Sequence, residues 1–264
     1  MTPESSLIRV EAAFGPMFAF PDDLVTQQIT EFGAHTRPEL AFLLSVVREG
    51  DRVFDLGAHI GTFTVPLAKK VGSTGRVVAV EAVPETFAAA VRNVALHDLA
   101  DRVVLRNAVV GPPVAYEAAA KLGNTAATFF RPRPLAAAHD TITIDALAGE
   151  TFVPDVIKID VEGLEAQALL PSDVLRARKP IIYAEIAEAH LARAGASVED
   201  LNGFFRQLGY RLFRNVGARN AANDTFEVAE LRTLHDGGTF FDVLAVYEGD
   251  PRVAILTADG ASDT

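Results

Sequence analysis

Four carboxylates in this chain each stand at or near the end of a short apolar run: Asp55 after Val53-Phe54, Glu81 after Val77-Val-Ala-Val80, Asp160 after Val156-Ile-Lys-Ile159 and Glu185 after Ile181-Ile-Tyr-Ala184. A carboxylate can hydrogen-bond a diol, balance a cation or accept a proton. One acid so placed would be unremarkable, but four on successive runs converge on a single edge if those runs are parallel strands of one sheet. The first run continues through Asp55-Leu-Gly-Ala-His-Ile-Gly-Thr-Phe63, with two glycines four residues apart. An apolar run breaking into glycines reads as a strand, a tight turn and a helix start, the geometry that holds an adenosine-type cofactor.

The details of that turn choose among cofactors. A dinucleotide fold uses Gly-x-Gly-x-x-Gly, whose central glycine lets backbone approach a pyrophosphate at a helix N-terminus. Counting from Gly57, that position is His59, and Asp55 adds negative charge where a pyrophosphate is unwelcome. S-adenosylmethionine has no phosphate and carries an ammonium, a sulfonium and a ribose diol. A carboxylate at Asp55 suits its amino-acid portion, and Glu81, twenty residues beyond Gly61, suits a bidentate contact to the ribose hydroxyls. The pattern therefore implies a methyl donor.

The elements that must position these residues alternate. Strands are predicted over Arg52–Leu56, Arg76–Val80, Val103–Val110, Val156–Ile159, Ile181–Ala184, Tyr210–Phe213 and Phe240–Tyr247, with helices between most of them. Pro66 fits only the first turn of a helix, where its missing N–H has no helical partner, so that helix starts close to Gly61. Pro84 opens the next helix, with Phe87, Val91 and Val94 on its apolar face and Asn93 facing solvent or capping. Such alternation predicts an α/β fold: an open, mostly parallel seven-stranded sheet with helices on both faces and its site at the carboxyl ends of the strands. From Gly111 to Glu150 the rhythm breaks at Gly111-Pro-Pro, Gly123-Asn-Thr and Arg131-Pro-Arg-Pro134, which predicts a β insertion between the third and fourth core strands. Residues 1–48 are expected to form an N-terminal helical or lid segment, 49–248 the cofactor-binding domain and 249–264 a tail with a frayed end. His35, Asn124 and His139 fall in rim segments; His35 and Asn124 are candidate substrate contacts.

At 264 residues and 49% hydrophobic, the chain can bury one large core. Its net charge of −11 argues against nucleic acid as partner. No cysteine is present, which removes disulfides and thiolate metal sites. The sequence has neither a basic-then-apolar leader nor an apolar run near the ~20 residues a membrane helix needs, so a cytoplasmic location off the membrane is expected. An apolar surface within residues 1–30 would support a homodimer.

Asp55 to Phe63, Glu81-Ala-Val-Pro-Glu-Thr-Phe87, Asn107-Ala108, Thr143-Ile-Asp145, Asp155-Val-Ile-Lys-Ile-Asp-Val-Glu-Gly-Leu-Glu165 and Pro180-Ile-Ile-Tyr-Ala-Glu185 together resemble the FkbM family of S-adenosylmethionine-dependent methyltransferases. The resemblance spans roughly residues 33 to 186 and is most specific at Lys158-Ile-Asp-Val-Glu-Gly163. It implies a class I methyltransferase (Rossmann-like) fold and, usually, transfer to oxygen in polyketide and sugar tailoring. Carried onto this sequence, it places Asp55, Gly57, Ala58, His59 and Gly61 at the methionine end, Glu81 and Ala82 at the ribose, and Asn107 with Ala108 near adenine. Asp160 and Glu162 then face the transferring methyl. His59 stands where the family often has asparagine.

Methyl transfer to a hydroxyl needs in-line approach and removal of a proton. Asp160, Glu162, Lys158 and Glu185 are the candidates for that work. Lys158 shares a strand face with Asp160, which favours an ion pair over a free catalytic lysine, and Glu162 in the first turn of a helix would also favour the dipole. Asp160 and Glu185 could hold Mg2+, with His190 a distant third ligand. The leading expectation is an O-methyltransferase acting on a small or medium hydroxylated acceptor. The competing readings are an N-methyltransferase acting on nucleic acid, disfavoured because the position after the fourth strand reads Asp160-Val-Glu-Gly, and a non-catalytic cofactor-binding module.

Overall fold

A computed structural model describes residues 7–121, 124–132 and 139–258. The chain opens with a hairpin of β1 (Ile8–Ala12) and β2 (Gly15–Ala19), then α1 (Leu24–Phe32) and α2 (Arg37–Val46). The core alternation follows as β3 (Arg52–Leu56), α3 (Thr64–Lys70), β4 (Arg76–Glu81), α4 (Pro84–Leu96) and β5 (Val103–Asn107). Between the third and fourth core strands come β6 (Val109–Val110), the antiparallel hairpin β7 (Tyr116–Lys121) and β8 (Asn124–Pro132), then β9 (Thr141–Ile142) and α5 (Ile144–Glu150). The core resumes with β10 (Val156–Ile159), α6 (Glu165–Leu169), α7 (Asp173–Arg178), β11 (Ile181–Ala187), α8 (Glu188–Arg193), α9 (Val198–Leu208), β12 (Tyr210–Asn215), β13 (Val228–Leu231), β14 (Phe240–Tyr247) and α10 (Val253–Ala258).

The large sheet runs β13-β12-β14-β11-β10-β3-β4-β5. From β11 to β5 every pairing is parallel, whereas β14 is antiparallel to both neighbours. The seven expected strands are all present, and β13 adds an eighth along the outer edge of β12. Two further departures have local causes. Part of the N-terminal segment pairs as a hairpin because the Gly15-Pro16 break joins two short alternating runs. The stretch after Gly249 is not all tail: Val253 and Leu256 of α10 are buried in the core, and the expected fraying falls at 259–264, outside the described residues.

Strand residues alternate between two cores. Phe54, Leu56, Val78, Val80, Ile157, Ile159, Ile182 and Ala184 pack on one face; Val53, Val77, Ala79, Val156, Tyr183 and Leu244 pack on the other. Burying each such aliphatic side chain contributes roughly 1.5–3 kcal/mol, so these rows fix the register. With a period of two, Asp55, Glu81, Lys158, Glu185 and Asp242 all belong to the second face. The polar residues thus gather on one face of the sheet, at its carboxyl edge.

Candidate active site

The glycine turn after β3 is shaped by two left-handed positions. Gly57 has φ +83, and a Cβ there would lie 1.8 Å from the Asp160 carbonyl oxygen, so only glycine lets β3 and the end of β10 approach this closely. His59 has φ +52, a conformation that asparagine tolerates best after glycine and that histidine also adopts. The N–H groups of Gly57 and Ala58 both donate to Val80 O, each at 2.9 Å, tying the turn to β4. The C=O groups of Gly61 and Phe63 accept from Val65 and Leu67, so helical bonding begins where Pro66 required it.

Beneath the turn lies a buried ion pair. Asp55 is fully buried; its Oδ2 accepts from Thr64 Oγ1 at 2.6 Å and its Oδ1 is 3.5 Å from Lys158 Nζ. Lys158 also donates to Gly57 O at 2.6 Å and lies 3.9 Å from Asp160 Oδ2. Burial works against its charge, but Asp55, Asp160 and Glu81 outweigh it and hold the ammonium above its ordinary pKa. Burial raises the pKa of Asp55, with Lys158 and Thr64 opposing. Lys158 is therefore a charged, committed group and not a free base.

Glu81 closes β4. Its Oε2 accepts from His59 N at 2.8 Å, and its Oε1 accepts from Val83 N and Thr86 Oγ1, each at 2.9 Å. Burial raises its pKa while these donors lower it. Asn107, exposed, donates to Glu81 O and Ala82 O and so supports the strand end from outside.

A pocket of about 720 Å³, including its open mouth, lies over this edge. Of the residues expected at the site, it is lined by Gly57, His59, Glu81, Ala82, Ala108, Lys158, Asp160, Glu162 and His35. Asp55 and Ala58 are buried and do not line it, nor do Gly61, Asn107, Glu185 and Asn124. The insertion hairpin contributes Thr125, Thr128 and Phe130, next to the expected Asn124, and His139 packs edge-on against Phe130 at 5.2 Å. The roof is stitched together: His59 Nε2 lies 2.7 Å from Thr125 Oγ1, and Thr125 N donates to Asp23 Oδ2 at 2.7 Å. Asp23 also caps α1 through Val25 N. His35, which contacts Gln28 through Nδ1, is driven by burial to a pKa of about 3, and His59 to about 4, so both imidazoles are neutral at pH 7.

The acid cluster differs from expectation in two respects. Glu162 does not sit in a first helical turn: it has φ +56 in the turn before α6, and it is Glu165 that opens the helix, accepting from Val161 N and Gly163 N. Burial raises Glu165 to about 7, and burial with Asp160 and Glu165 raises Glu162 to about 8. The carboxylates drawn together with His190 are Glu162 and Glu185, not Asp160 and Glu185. Behind them, Arg219 pairs with Asp242 and lies 3.7 Å from Glu185, while Tyr183 and Asn215 hydrogen-bond Glu39. Asp242 was legible as a charge interrupting an apolar strand; Arg219 lies in a loop with no such signal.

Asn93 is also a correction. It is fully buried, accepting from Phe18 N at 2.7 Å and donating to Phe18 O and Ile60 O at 2.9 and 2.8 Å. It joins the N-terminal hairpin to the glycine turn as a peptide group would.

A mostly parallel sheet of this order, with β14 antiparallel and acids at the carboxyl ends, defines the Rossmann-like fold of the class I methyltransferases. Within that class the chain belongs to the FkbM methyltransferases: the methyltransferase FkbM domain matches residues 55–212. No curated protein matches the chain. Among solved structures it is similar to the methyltransferase FkbM from Methylobacillus flagellatus KT, at 16% identity and TM-score 0.47, over 75% of this chain and 43% of that one. It is also similar to TYW2 from M. jannaschii in complex with AdoMet, at 15% identity and TM-score 0.46, over 92% and 87% of the two chains. For precorrin-6y C5,15-methyltransferase from Geobacter metallireducens GS-15 the values are 13%, 0.45, 80% and 87%.

The donor set fits S-adenosylmethionine. Three of the roughly four acceptor sites of Glu81 are used by protein donors, which leaves one for a ribose hydroxyl. Val80, Ala82, Val83, Ala108, Val109 and Leu164 give an apolar bed for a base, and the single lysine among the described lining residues is neutralised by Asp55 and Asp160, so nothing there selects a phosphate.

Proposed function

We propose that this methyltransferase acts on a hydroxyl oxygen of a small or medium acceptor such as a sugar or a polyhydroxylated natural product, with S-adenosylmethionine as donor. The observation that carries the reading is that one pocket is lined by Glu81 and by the carboxyl groups of Asp160 and Glu162, together with hydroxyl groups and neutral imidazoles. Glu81 and the backbone of Gly57 would hold the donor, which supplies an electrophilic methyl when bound. Thr125, Thr128, His35 and His59 suit neutral hydroxyl groups, because an uncharged imidazole both donates and accepts. Asp160, 34% exposed, and Glu162 stand on the pocket wall, where Asp160 can accept the acceptor's proton, while Glu162, raised to about 8, is mostly protonated at pH 7 and can donate a hydrogen bond. Much of the rate is supplied by holding the two reactants in line.

The test has two arms. Calorimetry with S-adenosylhomocysteine is expected to show saturable binding at micromolar protein, and mass spectrometry of a hydroxyl-compound library is expected to show products heavier by one methylene on oxygen. Absence of binding removes the donor assignment, whereas binding with methylation only on nitrogen or carbon removes the acceptor assignment.

A further inference from the structure

Glu162, Glu185 and His190 each offer one ligand atom, and these atoms lie within 4.8 Å of one another. His190 Nδ1 is 3.1 Å from Glu162 Oε2 and 3.8 Å from Glu185 Oε2. Atoms bonded to one ion at ~2.0–2.2 Å sit roughly 3.0–3.6 Å from each other, so the observed spacing needs only a small contraction. We propose that Glu162, Glu185 and His190 form a site for one divalent first-row metal ion beside the methyl-transfer pocket.

Two observations besides proximity point to a ligand. His190 Nδ1 is buried and has no hydrogen-bond partner, although it faces two carboxylates. Glu185 is only 6% exposed and faces Asp160, Asp242, Glu162 and Glu165, against one guanidinium 3.7 Å away whose stronger partner is Asp242. Lys158 and Arg193 also act on Glu162, and a cation held between Glu162 and Glu185 would relieve the crowding of these acids. The chain is also built to bring these groups together. Gly163 has φ +108, and a Cβ there would lie 2.5 Å from His190 O, so α8 reaches Glu162 only because residue 163 is glycine.

The ligand types select the ion. One imidazole with two carboxylates suits a first-row ion such as Mn2+, which takes oxygen ligands and also accepts an imidazole, whereas Mg2+ prefers an all-oxygen shell. Three protein ligands leave positions open, and Glu162 also lines the pocket, so an ion here would stand where an acceptor oxygen could join it. That use of the ion rests on the hydroxyl-acceptor reading; the binding does not.

Mn2+ titrated into chelator-treated full-length protein, followed by calorimetry and by the paramagnetic resonance signal of free Mn2+, tests the site directly. The expected result is one ion per chain, bound more tightly than Mg2+, with affinity lowered at least tenfold in both His190→Ala and Glu185→Gln. S-adenosylhomocysteine titrated into the same samples is expected to bind within about threefold of wild type, which shows that the variants are folded and separates this test from that of the donor. No saturable Mn2+ binding by the wild type, or equal binding by both folded variants, overturns the proposal. If either variant fails to bind S-adenosylhomocysteine, Glu162→Gln takes its place and the same tenfold criterion decides.

Discussion

Lys158 stands directly opposite Asp55 in the register of the sheet, with the two charges 3.5 Å apart and the lysine also clamped to Gly57 O. The one lysine among the described residues lining the pocket is therefore a strut that fixes the glycine turn to the neighbouring strand. Removing one partner of a buried pair strands the other charge, at a cost of about 3–5 kcal/mol. Lys158→Met is expected to lose about that much stability in urea unfolding and to weaken S-adenosylhomocysteine binding as the turn loosens. Unchanged stability would mean that Asp55 carries no charge in the folded protein.

Gly57 and Gly195 make a matched pair for testing why the turn is glycine. Both have positive φ, +83 and +79, but a Cβ at Gly57 meets the Asp160 carbonyl while one at Gly195 meets nothing within 4 Å. Gly195→Ala is expected to cost about 1–2 kcal/mol, the left-handed penalty alone. Gly57→Ala must in addition push β10's end away, so thermal melting should show a distinctly larger loss, with cofactor binding abolished in any fraction that folds.

Much of the active edge was legible because its acids terminate apolar runs, a signal that survives without any knowledge of packing. Asp55, Glu81, Asp160 and Glu185 were visible for that reason, and so was the parallel order of their strands. Asn93 was not. The larger side chains of α4 suggested a face through Phe87, Val91 and Val94, yet the helix buries Thr86, Ala89, Ala90, Asn93 and Val94 and leaves Val91 42% exposed. Small residues let α4 approach closely, and periodicity weighted by side-chain size misses that. Arg219 and Glu39 were invisible for another reason: their partners Asp242, Tyr183 and Asn215 are remote in sequence, and a loop arginine carries no pattern.

Asn93 offers a stability test of how the N-terminal hairpin docks on the glycine turn. Its amide satisfies both backbone groups of Phe18 and the Ile60 carbonyl, all of which lose their partner in Asn93→Leu. Leaving buried polar groups unpaired costs about 1–3 kcal/mol each, so a total loss of several kcal/mol in chemical denaturation is expected. Hydrogen exchange is expected to speed up at Phe18, and a variant with protected exchange there would show that the hairpin docks by apolar contacts alone.

The two roof histidines predict how stability follows pH. His35 and His59 have folded pKa values of about 3 and about 4, driven down by burial from an ordinary 6.5. His59 is opposed by Asp23 and Asp160 and aided by Lys158, and His35 is aided by His59, Arg219 and Lys158. Both groups are depressed, so at these two positions the unfolded chain binds more protons than the folded one between pH 6.5 and about 4. Their contribution is fully present above pH 6.5 and is lost as pH falls through that window, at a rate on the order of 1 kcal/mol per pH unit for each buried imidazole. Glu39, Glu162 and Glu165, raised by burial to about 7, 8 and 7, act with the opposite sign in the same window, so the histidine contribution is read as the stability difference between the wild type and a histidine variant from pH 7.5 to 4.5. His59→Asn keeps a residue tolerant of the left-handed turn while removing the titrating ring, so the stability of the wild type relative to this variant is expected to fall as pH falls from 6.5 to 4.5. A difference between wild type and variant that stays flat from pH 6.5 to 5 would mean that the His59 imidazole reaches water in the folded protein, and with it that the roof stands open.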